Sequence, residues 1–291
     1  MQFDRWRSGS TLVIGVASLV ACGREEASSR PAPPDLTQSQ TQIPQSSVTL
    51  GFADGTLRTQ VALPSFRIST HPITQQQYQA CVAAHACGAP LNTCAAELSA
   101  GSAPELAIQT CVGVQNAQKY CAWAGGQLPN LSEWFLAARG PNVAPFSWGT
   151  EAATCERHPF GKKHFSEAEF TALKMRAGSP WKLEELLAQE SDCGSAARSL
   201  TVKGHPEGAS PLGVQDVLLA PAELAMGQPE SPVSACSGAS PCLIYRDRHA
   251  VISNLGPIED RAREPAADPS GGQAAPEYAF RCVWKDGGTA P

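Results

Sequence analysis

Apolar residues recur along this chain in short runs, and each run predicts a short element. Residues 48–52 and 61–68 alternate in part between apolar and polar side chains, which is the pattern of a half-buried strand. Thr74 and Gln77 then have the spacing of a capping box, so we expect a helix to begin there. The elements predicted in this part of the chain are all short.

Two more helices are predicted on either side of a glycine turn. The first covers about residues 115–123 and ends before Gly125 and Gly126, because glycine can adopt the positive φ that terminates a helix. Asn130 and Glu133 have the spacing of a second capping box, so the next helix begins after Asn130. The apolar stripe of that helix consists of Trp134, Ala137 and Ala138.

Residues 162–190 are predicted to be a helical insertion. Ser166 can cap its first helix, with Glu169 at the box position, and Ser179 followed by Pro180 starts the second. Two interpretations remain open: the insertion is a decoration of the surface, or it is a hairpin that docks a partner.

The amino terminus predicts export and lipid attachment. Residues 11–17 form a short apolar run, and Leu-Val-Ala-Cys follows, ending at Cys22. This is the pattern of a lipoprotein signal peptide, and it is too short for a membrane span. We expect residues 1–21 to be the signal peptide and Cys22 to carry the lipid. Gly23 follows in place of a retention Asp, which favours the bacterial outer membrane, facing the periplasm or the cell surface.

Composition divides the remaining chain into a tether, one domain and a tail. Residues 22–47 are rich in Ser, Pro, Gln, Thr and Glu and contain almost no large apolar side chain, so we expect a disordered tether. Residues 48–285 are long enough for one well-packed domain. Residues 286–291 are predicted to be a flexible tail.

Charge and loop content exclude some functional classes. The chain has 22 Lys and Arg against 27 Asp and Glu, a formal net charge of −5. It has no basic patch with interleaved aromatic residues, so we expect no nucleic-acid partner. Its 25 Gly and 24 Pro favour a loop-rich fold over a helical bundle.

Residues 120–140, YCAWAGGQLPNLSEWFLAARG, carry a resemblance to a known family. With the Phe-Ser-Trp-Gly that follows, they resemble the pattern G-x-R-L-P-T-E-A-E-W-E-x-A-A-R-G and x-P-W-G of the sulfatase-modifying-factor, or formylglycine-generating enzyme, family. The matching positions are Leu128, Pro129, Glu133, Trp134, Arg139, Trp148 and Gly149.

Further landmarks of that family occur in the same order. Residues 72–82 resemble its E-V-T-x-x-x-Y segment, residues 112–123 its V-S-W-x-x-A-x-x-Y-C-x-W segment, and residues 208–225 its G-x-S-P-x-G-L-Y-D-M-A-G-N-V-W-E-W segment. A last landmark is similar to its Gly-Phe-Arg-Cys. The matching residues in these landmarks are Tyr78, Trp123, Asp216, Glu223 and Arg281.

The resemblance implies an irregular α+β fold, the formylglycine-generating-enzyme fold, which is related to C-type lectin-like folds. In the family, the Gly-Asn-Val-Trp-Glu part supplies oxygen ligands to a structural calcium ion. Here Ala220 replaces the Asn and Pro221 alters the backbone. Because Ca²⁺ needs six or more oxygens, we expect this site to be weakened or lost.

The chain contains 11 cysteines, and one of them is Cys22. The other ten are an even number in an oxidising compartment, which predicts disulfides. The resemblance implies the pair Cys121 and Cys282, because the family positions are bridged. Cys155 and Cys193 flank the helical insertion and would close its base. Three pairings remain open among Cys81, Cys87, Cys94 and Cys111.

Cys236 and Cys242 decide between two functions. The family enzymes oxidise a substrate cysteine to formylglycine with O₂, using two cysteines that bind Cu(I), a soft ion suited to thiolates. Those cysteines follow an R-G-G-S-(W/Y) strand. The best match here, residues 243–249, lacks both glycines, and no cysteine follows it up to about Pro257. We therefore predict no catalytic residues and a short-loop disulfide; the alternative is a displaced copper pair at Cys236 and Cys242.

The leading hypothesis is a non-catalytic lipoprotein that binds a peptide, protein or glycan, in the old substrate groove or through the insertion, with no cofactor. The alternative is a copper-dependent oxidase acting on a substrate cysteine. Sulfur-adding chemistry, as in the related ergothioneine-pathway enzymes, is disfavoured because no iron-binding helical domain with a His triad is visible. The six histidines never occur at the H-x-x-x-H spacing of a helical metal site, so no metal site is predicted.

Overall fold

The fold is known from a computed structural model. It describes residues 39–50, 59–90, 103–159, 166–177, 183, 186–187, 189–191, 193, 201–217, 219, 222–231, 236–246, 252–257 and 278–286. The predicted signal peptide, the lipidation residue Cys22, most of the tether and residues 287–291 lie outside this part of the chain. Cys94, Ala220 and Pro221 also lie outside it.

The described strands belong to three small sheets. β1 pairs with β4 and β4 with β9; β2 and β3 form a hairpin; and β7, β6, β5 and β8 follow one another in a four-stranded sheet in which only the β5–β8 pair is parallel. The bounds are β1 (Gln40–Ile43), β2 (Ser46–Leu50), β3 (Thr59–Leu63), β4 (Phe66–Ser69), β5 (Ala222–Met226), β6 (Pro241–Arg246), β7 (Ile252–Pro257), β8 (Tyr278–Phe280) and β9 (Val283–Lys285).

Short helices complete a mixed α+β architecture with long irregular connections. They are α1 (Gln75–Ala83), α2 (Val114–Trp123), α3 (Leu131–Arg139) and α4 (Glu167–Ala177). Among the described residues, no helix is both long and apolar enough to cross a bilayer. The predicted fold class, an irregular α+β fold braced by disulfides, is confirmed.

Both predicted capping boxes are present. Gln77 N donates to Thr74 Oγ1 over 3.3 Å while Thr74 N donates to Gln77 Oε1 over 2.9 Å. Asn130 and Glu133 exchange the equivalent bonds, both 2.9 Å long. Each box provides acceptors for two backbone N–H groups that the start of a helix would otherwise leave without a partner.

The predicted boundary between tether and domain at residue 48 is too late. β1 already belongs to the three-stranded sheet, and Ile43 is fully buried opposite Phe66 of β4. β1 has the polar sequence Gln-Thr-Gln-Ile, which contains no apolar run to predict a strand. Backbone hydrogen bonds to β4 and the one buried side chain, Ile43, hold it in the sheet. The predicted strand 61–68 is in fact β3 and β4, with Pro64 between them.

Two apolar clusters form the core, one containing α3 and the other containing α2. Every residue of α3 is buried, and Trp134 and Phe135 pack with Phe66 and Ile68 of β4. The second cluster is aromatic: Tyr78, Tyr120 and Phe280 have ring centroids 5.6–6.4 Å apart. Strands β4 and β8 therefore tie the helices to the segments that carry the candidate site.

The helical insertion has its own small apolar cluster. Ser166 caps α4 by accepting from Glu169 N over 3.2 Å, as predicted. The buried side chains of the cluster are Leu173, Leu183, Leu186 and Leu187. The disulfide Cys155–Cys193 closes the base of the insertion.

Candidate functional site

The cysteines that would carry copper chemistry are joined to each other. Cys236 and Cys242 form a disulfide, and both are 0% exposed within the cluster around Trp134. Cys242 lies in β6, an inner strand of the four-stranded sheet, where it pairs with Ala225 of β5 and Pro257 of β7. Cu(I) binding by cysteine requires thiolates. The oxidised, buried pair does not fit a copper centre.

The other described cysteines are also disulfide-bonded. Cys121 bonds to Cys282, the pair implied by the family resemblance, and Cys155 bonds to Cys193. Among the four cysteines whose pairing the sequence left open, Cys81 bonds to Cys87. The cysteines of the described residues therefore brace the fold.

Three residues that match the family motifs form one buried polar group, which we call the Arg281 centre: Arg281, Glu223 and Trp134. Glu223 Oε2 accepts from Trp134 Nε1 over 2.8 Å and from Arg281 Nε over 2.9 Å, and Oε1 accepts from Arg281 Nη2 over 3.1 Å. Arg281 is 1% and Glu223 0% exposed. The two charges are thus paired and hydrogen-bonded, as buried charges must be.

Arg281 also holds two loops side by side. Its Nη1 donates to the carbonyl oxygens of Ser69 and Thr70 over 3.3 and 2.8 Å, and its Nη2 donates to those of Gln215 and Asp216, both over 2.8 Å. The planar guanidinium, with five donors, suits this role.

His71 and Asp216, 145 positions apart in sequence, meet beside the Arg281 centre. Asp216 Oδ2 lies 2.5 Å from His71 Nδ1 and also accepts from Lys203 N over 2.9 Å. The Asp216 side chain is 1% and that of His71 14% exposed. Because the carboxylate accepts at Nδ1, the ring nitrogen Nε2 is the one left for a ligand.

His71 and Lys203 line a polar pocket of about 170 Å³. Exposed Lys203 and Glu105 line it, together with His71, Gln76 and the first residues of α1. Its apolar wall comes from Ile73, Val202 and Trp284, which are buried. The pocket therefore offers opposite charges and amide groups against an apolar wall, an arrangement that can bind a small polar molecule.

The remaining motif residues have structural surroundings. Pro129 O accepts from Met226 N over 2.8 Å, and Tyr78 OH donates to Gly88 O over 2.8 Å. Trp148 stacks on Phe146 with ring centroids 4.8 Å apart, next to Gly149 at φ +121°. Leu128 is buried, and Trp123 lies 5.8 Å from the Tyr120 ring.

Two charged motif residues anchor α3. Arg139 Nη2 donates to Thr49 O over 3.1 Å, and its guanidinium carbon lies 4.3 Å from the centre of the Phe135 ring. Burial lowers the pKa of Arg139 to about 10. Glu133, besides its capping role, forms an ion pair with Lys285 of β9. These contacts fix the helix to β2 and to the carboxyl-terminal strand.

The residues do not fit the calcium ion that the family resemblance implies. The Glu223 carboxylate is directed at Arg281 and Trp134, which take both of its oxygens. Within the described ranges, no group of three or more His, Cys, Asp or Glu is arranged to hold a metal ion.

Sequence reasoning singled out Asp216 but not its partners. His71 is one of six histidines, and Lys203 lies in no motif. The one available clue was position: His71 directly precedes the landmark that begins α1, and Asp216 lies in another landmark. No spacing rule relates residues that distant in the chain.

Three of the solved structures that match this chain share little sequence with it. PvdO from Pseudomonas aeruginosa is 15% identical, with 84% of this chain and 94% of that chain covered and a TM-score of 0.49. Treponema denticola variable protein 1 is 13% identical, with 85% and 95% covered and a TM-score of 0.43. CarF is 13% identical, with 84% and 97% covered and a TM-score of 0.42. No curated protein matches the sequence.

A protein-family model gives the assignment. The sulfatase-modifying factor enzyme 1-like domain matches residues 26–183, which are more than half of the 291 residues. The match includes the landmarks at Tyr78, Trp123 and Trp134, and its start agrees with the inclusion of β1 in the domain. This chain belongs to the sulfatase-modifying factor enzyme 1-like family.

Proposed function

We propose that this chain is an exported, lipid-anchored member of its family that acts as a binding or assembly module instead of an oxidase. Its partner is a peptide, a protein or a glycan. The domain is held at the bacterial outer membrane by a lipid on Cys22, facing the periplasm or the cell surface, and it works without copper or another cofactor.

The observation that carries this proposal is the Cys236–Cys242 disulfide. The family reaction needs two thiols that bind Cu(I), and no cysteine follows the strand β6 that best matches the family's active-site strand, up to about Pro257. The one nearby pair is oxidised and 0% exposed. Meanwhile the Arg281 centre keeps the family's scaffold residues. A preserved scaffold without reactive thiols supports a binding role.

The lipid anchor is supported by the sequence of the first 23 residues. A short apolar run, the Leu-Val-Ala-Cys box and the polar stretch after it are typical of a lipoprotein. Even numbers of cysteines and the disulfides of the domain agree with an oxidising compartment.

A thiol count tests the non-catalytic role most directly. The exported, unreduced protein is alkylated under denaturing conditions and analysed by mass spectrometry after proteolysis. We expect no alkylated cysteine in the domain. Free thiols at Cys236 and Cys242, together with protection of both by added Cu(I), would establish the copper oxidase instead.

An activity assay separates the two functions further. The protein is incubated with Cu(I), O₂ and a cysteine-containing peptide, and formylglycine is measured by mass spectrometry. The matched control is the double variant Cys236→Ala with Cys242→Ala. We expect no formylglycine from either protein; formylglycine from the wild type alone would overturn the proposal.

The anchor has its own test with a matched pair of variants. Cys22→Ser should abolish labelling of the protein by radioactive palmitate and release it from membranes. Gly23→Asp keeps the lipid but should move the protein to the inner-membrane fraction, because Asp at this position favours retention. Labelling of Cys22→Ser at the wild-type level would disprove the anchor.

A further inference from the structure

The polar pocket is lined by charged groups that have no partner among the described residues. Lys203 and Glu105 line the same pocket of about 170 Å³, and neither side chain pairs with the other or with another described residue. No described residue hydrogen-bonds to Nε2 of His71 either. Exposed charges often lack partners, but here a positive charge, a negative charge and an imidazole line the same small pocket.

The backbone around this pocket is held in a costly conformation. Lys203 has φ +67° and Asp216 has φ +55°, and the Asp216 carboxylate accepts from Lys203 N. Positive φ is uncommon for residues other than glycine, and such strain concentrates at functional sites. The Asp216 carboxylate therefore fixes the His71 ring and the backbone of Lys203 at the same time, and both residues line the pocket.

The first turn of α1 lines the pocket, but its backbone N–H groups are already hydrogen-bonded within the protein. Gln75 N donates to Ala107 O, Gln76 N to Pro104 O and Gln77 N to the Thr74 side chain. A ligand is consequently recognised by side chains and not by the helix end.

Volume and charge together define the ligand class. The pocket volume of about 170 Å³ is smaller than the ~300 Å³ at the lower end of ordinary ligand sites. It corresponds to roughly five or six water molecules at about 30 Å³ each. We propose that this pocket binds a small zwitterion, a free α-amino acid or the matching groups of a short peptide. Lys203 receives the carboxylate and Glu105 receives the ammonium group. The inference rests on the proposed binding role and specifies its ligand.

The test begins with calorimetric titration of the full, disulfide-intact domain with the standard L-amino acids and with alanyl-alanine. The best binder is then compared with its N-acetyl form, which lacks the ammonium group, and its amide, which lacks the carboxylate. We expect each blocked form to bind roughly tenfold more weakly or worse, because a hydrogen bond between charged groups is lost. Stronger binding of alanyl-alanine than of free alanine would identify peptide as the source.

Two charge-neutral variants assign each contact. In Glu105→Gln the free and N-acetylated ligands should bind equally, and in Lys203→Gln the free and amidated ligands should bind equally. The controls Glu207→Gln and Lys119→Gln change exposed residues that do not line the pocket, and they should leave all affinities unchanged. Unfolding of each variant is measured in parallel, so a folding defect is recognised.

The proposal is overturned if no amino acid or dipeptide binds, if blocked and free forms bind alike, or if the control variants abolish binding. That result leaves the proposed function standing as long as the thiol count shows paired cysteines. Free thiols at Cys236 and Cys242 would instead overturn the proposed function, whatever the pocket binds.

Discussion

The Arg281 centre and the polar pocket share two loops but use their charges in opposite ways. In the centre, Arg281 makes six hydrogen bonds and is 1% exposed. At the pocket, Lys203 and Glu105 are exposed and have no described partner. Asp216 connects the two, with its carbonyl on Arg281 and its carboxylate on His71. The residues that match the family maintain the fold, while residues outside its motifs are available for a ligand.

The largest expected effect comes from removing the charge of the centre. Arg281→Met should destabilise the domain by about 3–5 kcal/mol, because Glu223 is left as an uncompensated buried charge. The carbonyl groups that bind the guanidinium also lose their donors. Urea denaturation, followed by tryptophan fluorescence, measures the change.

A double variant checks that the buried charge is the cause. Arg281→Met combined with Glu223→Gln removes both charges but keeps an acceptor for Trp134 Nε1. It should be more stable than Arg281→Met alone. A single variant within about 1 kcal/mol of the wild type, the size of an ordinary substitution, would mean that the centre does not hold the fold.

The centre was predictable as a set of residues but not as an interaction. Trp134, Glu223 and Arg281 were all recognised by their motifs, and the Cys121–Cys282 pair followed from the same resemblance. Their contacts join positions 58 and 89 residues apart, which no local periodicity reports. By contrast, the two capping boxes are local patterns, and both were predicted correctly.

The second prediction compares the disulfide next to the Arg281 centre with the one that joins α1 to the residues after it. Cys282 follows Arg281 directly, and its bond to Cys121 spans 161 residues, whereas Cys81–Cys87 spans 6. A longer loop restricts the unfolded chain more, so Cys121→Ala with Cys282→Ala should cost about 3 kcal/mol more than Cys81→Ala with Cys87→Ala. Thermal and urea unfolding of the two double variants gives the comparison. Equal losses would show that loop length does not set their contributions.

The third prediction tests the residue that connects the two regions. Asp216→Asn should cost about 1–3 kcal/mol, because His71 Nδ1 and Lys203 N lose a charged acceptor. Asn is the matched substitution, since it tolerates positive φ and keeps the size of the side chain. Urea unfolding measures the loss, and the NMR signals of the His71 ring should move. A stable variant with unchanged His71 signals would show that the pair does not form.

The pocket marks the limit of what the sequence predicts. Its members come from the β4–α1 loop and the start of α1, from the segment before α2 that contains Glu105, and from residues 201–217, and only the fold brings them together. The strand β1 was missed for the same reason. Its Gln-Thr-Gln-Ile sequence is polar, and its place in the sheet depends on backbone pairing with β4. Motifs therefore located the scaffold, whereas the edge strand and the pocket required tertiary structure.

The smallest expected effect contrasts the buried pair of the centre with an exposed one. Gln42 donates to Asp286 Oδ2 over 2.7 Å, and Arg67 Nε lies 3.6 Å from Oδ1. The hydrogen bond from Gln42, followed by that from Ser65 and the charge of Arg67, lowers the pKa of the Asp286 carboxyl. A carboxyl whose pKa is lower in the folded state stabilises the fold above its unfolded pKa, and this contribution is lost as the pH falls through the folded value.

Asp286→Asn should therefore be slightly less stable than the wild type near neutral pH, with the difference disappearing in acid. Because the pair is exposed, salt should reduce the difference further, unlike the loss caused by Arg281→Met. Gln42→Ala is the matched variant, because it keeps the Asp286 carboxylate but removes the hydrogen bond that is the largest cause of its lowered pKa. Stability of this variant should therefore depend less on pH than that of the wild type. Urea midpoints over a pH series test all three proteins. A difference between Asp286→Asn and the wild type that persists or grows in acid would show that Asp286 acts through packing and not through its charge.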